Sequence, residues 1–357
     1  MSGSASVDVL IVSLGSTVGL RTADAQLADS LRRAGASVVL ATSKPPQRRL
    51  RTLALVDLHW ARAARRAALH ELARRAPRAI IYSTTTASLL WPRPGAIRFD
   101  APAAGNRPGR HGMWQRPLER RRLMQAPLLI PCSEGGLSEA PQAARRGDRA
   151  VVLPIAVESY RASAVADGQA RAAPGAEPEP EPEPRDIAAI TYAANPHKKG
   201  LDRVLSAWRR VRRDSEELVV AGAPAEQLLQ AGLVAGGEQG IRVVGTLDVQ
   251  AYRALVRRAR VFVCAPRRED YGSAQLEALA DGCLLVTTAA PGPYVALGIA
   301  RALDPRLVGD DLEGALRAAL DDPVAGYALR AREALARFSP DVVDRLVAEE
   351  LLPRLLA

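Results

Sequence analysis

Lysine, cysteine and aromatic residues are scarce in this chain of 357 residues, and each shortage closes off a class of function. Phe, Trp and Tyr make up 4% of it, which supplies few of the stacking platforms that nucleic-acid binding needs besides charge, and no groove-reading motif is present. No nucleic-acid partner is therefore expected, despite a net charge of +10. The three cysteines, Cys132, Cys264 and Cys283, cannot all pair. Each sits in or beside an apolar stretch, so buried thiols are expected rather than a disulfide framework or a zinc site. No run approaches the roughly 20 apolar residues of a membrane span. Residues 1–6 carry no basic region or long apolar core, so no secretory signal is visible and a cytoplasmic location is expected. There is no Gly-x-x-x-x-Gly-Lys-Ser/Thr, and the first strand leads into Gly15-Ser16-Thr17-Val18-Gly19 rather than Gly-x-Gly-x-x-Gly, which argues against an ATPase or a standard nicotinamide enzyme.

Lysine occurs only at positions 44, 198 and 199, so arginine carries almost all the positive charge. Residues 1–171 hold 26 Lys and Arg against 12 Asp and Glu, whereas residues 187–357 hold 22 against 22. The first half should attract anionic surfaces or substrates, unless a coding bias toward Arg and Ala accounts for the excess. At roughly 100–200 residues per domain the length argues for two domains. The alternating Glu-Pro of 177–184 can neither bury a core nor continue a helix, and reads as an extended, semi-rigid spacer. The expected organisation is an N-terminal domain 1–162, a Pro/Glu-rich linker 163–186, a C-terminal domain 187–340, and a C-terminal helix 341–357 packing back on the first domain.

On either side of the spacer, short β-rich runs alternate with amphipathic segments, the signature of βαβ units. Strands are expected at 7–14, 37–41, 79–82, 96–99, 127–131 and 151–154, then at 187–192, 218–221, 241–244, 261–264 and 284–287. Helices are expected at 23–33, 201–211, 249–258, 274–280 and 312–320, with a basic amphipathic helix over 58–75. The fold class is α/β with two doubly wound parallel sheets, which bind ligands beyond the carboxyl ends of their strands.

Three segments carry chemistry. The Gly15–Gly19 turn joins a strand to a helix; it is either a plain turn or a loop whose free N–H groups meet an anion. The stretch Asn195-Pro196-His197-Lys198-Lys199-Gly200 places two ammonium groups at a helix start, where they oppose the macrodipole; a bound phosphate there would relieve the conflict, the alternative being a solvated Lys pair. The stretch 266–282 also runs from strand to helix. Glu269 falls in its loop and Glu277 in its helix, both carboxylates suited to vicinal hydroxyls, and Gly272 lets backbone approach a ligand.

Glu269-x7-Glu277, set in Glu-Asp-Tyr-Gly-x4-Glu-Ala-Leu-Ala-Asp-Gly and preceded by Lys199-Gly200 and Gly245-Thr246-Leu247, resembles the retaining glycosyltransferases of GT-B fold, family 4 or group 1 type. The resemblance spans nearly the whole chain, with specific C-terminal motifs and looser N-terminal ones. It implies a GT-B architecture, two Rossmann-like domains facing across a cleft, and retaining, metal-independent transfer of a sugar from a nucleotide-diphosphate sugar. No cofactor is implied beyond that donor substrate. Lys199 would bind the donor diphosphate, Glu277 the ribose hydroxyls and Glu269 the sugar hydroxyls. The amides around Tyr271, Gly272 and Ser273 would lie near sugar and phosphates, Gly19 would approach the diphosphate from the other domain, and Gly245, Thr246 and Leu247 would flank the base.

Two positions depart from the family pattern. Ala194 stands where the family has Arg, so Lys198 or His197, with Asn195 beside them, would compensate on the donor side. Asp100 stands where the family often has His, and its carboxylate would keep a donor-sugar contact, with altered selectivity. The nearby Arg107, His111 and Arg116 are either acceptor-binding groups or members of a plain surface loop. Expected partners are a nucleotide sugar and a carbohydrate, lipid-linked or small-molecule acceptor. The basic helix over 58–75 either lies on anionic lipid, giving weak peripheral membrane association, or packs on the core with its arginines outward. The alternatives to a transferase are an epimerase or phosphorylase of the same architecture, or a non-catalytic sugar-nucleotide or polyanion binder.

Overall fold

The computed structural model describes residues 5–44, 52–107, 109–145, 147–158 and 184–357, with nothing stated of the side chains of Ala5 and His111. Of the expected linker 163–186, only 184–186 fall among these. The chain forms two compact units, one of residues 1–156 and 340–357, the other of residues 157–339.

The first unit is built on a parallel sheet of β1 (Ala5–Ser13), β2 (Val38–Thr42), β3 (Arg75–Tyr82), β4 (Ala96–Phe99) and β5 (Leu129–Pro131), in the order β2-β1-β3-β4-β5. Its central strands are continuous apolar runs because both faces are covered. The helix Val18–Arg33 starts five residues earlier than expected because the Thr17 hydroxyl accepts from Leu20 N at 3.2 Å and caps it, while Arg32 and Arg33 complement its C-terminal dipole. Leu27, Leu31, Val343, Val347 and Leu351 share one core cluster, so the C-terminal helix Pro340–Leu346 belongs to this unit, and Arg33 Nε donates to Asp344 at 2.6 Å. At the carboxyl end of the sheet the buried Arg98 of β4 donates to Ala23 O at 3.0 Å and lies 3.5 Å from Asp24, whose carboxyl burial pushes up.

Two expectations here are corrected. Residues 151–154 form no strand: Val151 N and Leu153 N donate to Leu129 O and Pro131 O, each at 2.9 Å, but Pro131 has no N–H to give Val151 O the bond between them. The basic helix runs Leu53–Leu72, not 58–75; Arg75 opens β3. Its buried face is Asp57, Ala61, Ala64 and Ala68, which leaves Arg62, Arg65 and Arg66 exposed. The core-packing alternative thus holds, with a basic outer surface remaining.

The second sheet comprises β6 (Ile187–Tyr192), β7 (Leu218–Ala221), β8 (Ile241–Gly245), β9 (Ala259–Cys264) and β10 (Leu284–Thr287), all parallel, in the order β10-β9-β6-β7-β8. From β6 the chain winds outward through β7 and β8, then returns to place β9 on the other side of β6. The helices that follow β6 and β9, Leu201–Val211 and Ser273–Ala280, leave in opposite senses from adjacent strands. That divergence makes a crevice at the carboxyl ends of β6 and β9, the switch point of a doubly wound sheet.

Gly200 is what allows the two strand ends to meet. It caps the helix Leu201–Val211 at φ +64, and a Cβ there would run into the Ala265 carbonyl oxygen just after β9. Gly200→Ala should therefore lower unfolding free energy by about 2–4 kcal/mol, summing left-handed strain and overpacking. Urea denaturation checks this, and a loss under about 0.5 kcal/mol, the level of an ordinary surface substitution, would mean the strand ends yield freely.

Candidate functional site

The loop after β6 and the loop after β9 bring their charged residues together at this crevice. Residues 195–200 form tight turns in which Asn195 Oδ1 accepts from Lys198 N at 3.0 Å and Asn195 O from Lys199 N at 2.9 Å. This turns both lysine side chains toward the neighbouring loop. Lys199 Nζ lies 2.6 Å from Glu269 Oε2, and Lys198 Nζ lies 2.6 Å from Asp270 Oδ2. Glu269 and Asp270 are buried, and Arg268 Nε reaches the other oxygen of Asp270 at 2.8 Å. Main chain ties the same loops together: Arg267 N donates to Lys198 O at 2.9 Å, and the Arg267 guanidinium to His197 O and Asp202.

The lysine pair at the helix start is thus neither solvated nor left facing the dipole alone. Carboxylates from the β9 loop compensate it, with Asp202 in the helix's first turn adding a favourable negative charge. Three half-buried cations, Lys198, Lys199 and Arg268, thus gather around two buried carboxylates at this crevice. Gly272, at φ +93, caps the helix Ser273–Ala280, whose first N–H groups open beside Glu269. Tyr271 is buried and Ser273 half-buried.

Glu277 stands one helical stretch further on, half-buried beside a second charged group. Arg253 Nη2 donates to Asp281 Oδ1 at 2.7 Å and to Glu158 O at 2.9 Å. Burial pushes the Glu277 carboxyl up to about 7; the Arg253 guanidinium pulls the other way, and the Asp281 and Glu158 carboxylates add repulsion. A carboxyl that titrates near neutrality in a semi-buried place both donates and accepts hydrogen bonds, which suits a pair of vicinal hydroxyls. Gly245, Thr246 and Leu247 follow at the end of β8, on the same edge of the sheet.

Asn195, His197, Lys198, Lys199, Gly245, Thr246, Leu247, Glu269, Tyr271, Gly272, Ser273 and Glu277 therefore all lie at the carboxyl edge of the second sheet. The remaining sequence-derived residues lie in the first unit. Gly19 is exposed in the first turn of Val18–Arg33, with open space where a Cβ would be. Asp100 directly follows β4, its Oδ1 accepting from Ala101 N at 2.7 Å. Arg107 makes a two-pronged pair with the buried Asp57, at 2.6 and 2.8 Å, which gives it a part in holding its segment to the helix Leu53–Leu72. Arg116 donates to the Gly112 and Gly109 carbonyls. Sequence reasoning passed over Asp270, Arg268, Gln275 and the Arg253–Asp281 pair. Arg268 and Asp270 flank Glu269, so their adjacency was visible, but nothing in the spacing shows which carboxylate meets which cation.

Two parallel five-stranded Rossmann-like sheets define the class: this is the GT-B fold. WaaG, a glycosyltransferase involved in lipopolysaccharide biosynthesis, superposes with a TM-score of 0.67 at 14% identity over 96% of this chain and all of that one. HepE of Anabaena in complex with UDP and glucose gives 0.60 at 16% over 97% and 99%, and a sucrose-phosphate synthase from Thermosynechococcus elongatus 0.61 at 15% over 94% and 96%. At such identities the likeness carries the fold. No curated protein matches the chain by sequence. Residues 186–322, all within the second unit, match the family model "Glycosyl transferases group 1".

The raised carboxyl of Glu277 predicts opposite effects on stability and binding. An acid whose pKa rises from 4.5 to about 7 on folding favours the folded state while protonated, so its contribution is full below 4.5 and lost as pH climbs through 7. Glu277→Gln should flatten that slope and leave the variant more stable than wild type above pH 7, by on the order of 1–2 kcal/mol. Above pH 7, where the wild-type carboxylate is charged and accepts from both hydroxyls, it should at the same time weaken nucleoside diphosphate binding by about 1.5–3 kcal/mol. Melting curves from pH 5 to 8.5 and titration calorimetry read the two; unchanged affinity would remove Glu277 from the binding site.

Proposed function

We propose that the chain transfers a sugar from a nucleotide-diphosphate sugar to an acceptor hydroxyl with retention of anomeric configuration and without a metal ion. The observation that carries this reading is the Lys199–Glu269 pair at 2.6 Å, at the switch point of the sheet that the group 1 glycosyltransferase model matches. HepE, similar in fold, was crystallised with UDP-glucose, which makes a uridine nucleotide the first donor to try.

On this reading Glu277 takes the ribose hydroxyls, the residues 245–247 flank the base, and the diphosphate lies over the start of the helix Ser273–Ala280 against Lys199. Glu269 holds sugar hydroxyls. The bond from the anomeric carbon to the diphosphate oxygen breaks as the bond to the acceptor oxygen forms, and the acceptor proton leaves with the diphosphate. Negative charge grows on the departing oxygen, where Lys199 and the helix N–H groups stabilise it more than in the bound donor. Lys198 and Arg268 add charge on the protein's side, in place of a metal. The acceptor is a carbohydrate, a lipid-linked sugar or a small molecule, with Arg107, His111 and Arg116 as candidate acceptor-binding groups.

Lys199→Ala should cut turnover by at least about a hundredfold with a smaller change in donor affinity. Steady-state kinetics against a panel of nucleotide sugars tests it. Turnover within a factor of a few of wild type would move the charge to Lys198 or Arg268.

We further propose a cytoplasmic enzyme that meets anionic membrane through the arginine surface of the first unit, where Arg62, Arg65 and Arg66 are exposed on one helix and Leu55 and Leu69 accompany them. Among the described residues no helix is long and apolar enough to cross a membrane. Co-sedimentation with anionic vesicles should be seen at low salt and fade as screening shortens to about 8 Å near 0.15 M. Absence of binding at low salt would leave the arginine excess as composition and favour a soluble acceptor.

A further inference from the structure

Two energetically costly features of the second unit converge on one carboxylate. Tyr294 is the only non-glycine among the described residues with positive φ, at +23, and it is buried. A bulky residue in that region is strained and persists only where its surroundings over-determine it. Its surroundings do so. Its hydroxyl lies 2.6 Å from Thr287 Oγ1, its ring packs where a Cβ on Gly272 would meet it at 3.1 Å, its own N–H donates to Glu269 O at 3.3 Å, and the next N–H donates to Tyr271 O at 3.0 Å. Tyr294 therefore touches both the Glu269 segment and the cap of the helix Ser273–Ala280.

The second costly feature is Gln275, 1% exposed. Its Nε2 donates to Glu269 Oε2 at 3.1 Å, the same oxygen that takes Lys199, and lies 3.5 Å from both the Tyr294 hydroxyl and Cys264 Sγ. Its Oε1 is buried with no hydrogen-bond partner, which leaves the desolvation cost of that oxygen uncompensated. Turning the amide over would aim an oxygen at the carboxylate, so the orientation is dictated by Glu269. With Lys199 and Gln275 both on Oε2, the Glu269 carboxylate is held from two sides.

We propose that Gln275 and Tyr294 are positioning residues that lock the Glu269 carboxylate and thereby set which hydroxyl stereochemistry of the donor sugar is accepted. The inference rests on the reading of Glu269 as the sugar-holding group. A fixed acceptor oxygen rewards a hydroxyl at one place and leaves itself unpaired when an epimer turns that hydroxyl away; a carboxylate free to swing meets either. Gln275→Leu removes the donor at similar volume, and Tyr294→Phe removes the hydroxyl while keeping the ring.

The test compares wild type and both variants for kcat and KM on the best donor from the nucleotide-sugar panel and on its hydroxyl epimer, with nucleoside diphosphate affinity measured alongside. The proposal expects the epimer selectivity ratio to fall by at least about tenfold in Gln275→Leu and in the same direction in Tyr294→Phe, mainly through kcat, because the lost interaction orients the reacting sugar. Nucleoside diphosphate affinity should stay within about twofold, since no sugar is present to sense the carboxylate. An unchanged selectivity ratio overturns the proposal, as does a parallel loss of selectivity, nucleoside diphosphate affinity and melting temperature in both variants, which would mark a general packing role. Failure of wild type to bind any nucleoside diphosphate or nucleotide sugar would instead overturn the donor reading, and this inference with it.

Discussion

The second unit depends on an electrostatic clasp between two loops that the chain keeps far apart. Lys199 and Glu269 are 70 residues apart in sequence, Lys198 and Asp270 are 72, and both pairs close at 2.6 Å. Burying two carboxylates and two ammonium groups singly would be costly; burying them as partners, each with further donors, is not. The strand order places the β6 and β9 ends side by side, Gly200 lets them approach, and the ion pairs then hold a crevice that two diverging helices would otherwise leave open. Groups fixed in this way are already in place before any ligand arrives, so little reorganisation is left to a binding step.

The same physics gives two carboxylates of one loop-and-helix segment opposite settings. Glu269 is matched to a cation and a donated amide, whereas Glu277 sits in a setting that disfavours its charge. One carboxylate is held still, and the other is kept near neutrality, where it can both give and take hydrogen bonds. Stability sacrificed at a site is a usual companion of function, and the strained Tyr294 and the half-satisfied Gln275 belong to the same pattern. All four stand within the segment 269–294, around the end of β9.

Much of this was legible in the sequence because it is local. Parallel strands buried on both faces read as short apolar runs, and nearly every one fell within two or three residues of its expected place. The exceptions have local causes that composition hides: a Thr17 cap that starts a helix early, a Pro131 that leaves a gap in a ladder, and an Arg75 that opens a strand where a helix was expected. The spacing of Glu269, Glu277 and Lys199 likewise put three groups at strand-to-helix turns, and the second sheet carries all three on one edge.

What the sequence determined by itself is therefore the alternation of elements, the parallel sheets and the identity of the charged groups at their carboxyl ends, since periodicity and turn chemistry act over a few residues. Only the tertiary structure decided how those groups pair. Strand order is a long-range property, and it is the placement of β9 beside β6 that turns a lysine pair in conflict with its helix into two ion pairs. Arg107 shows the converse: adjacency in sequence made it a binding group in waiting, and packing gave it to Asp57 on a distant helix. Gln275 and Tyr294 carry no sequence signal at all, because an amide and a phenol acquire their meaning only when burial denies them water and leaves one carboxylate within reach.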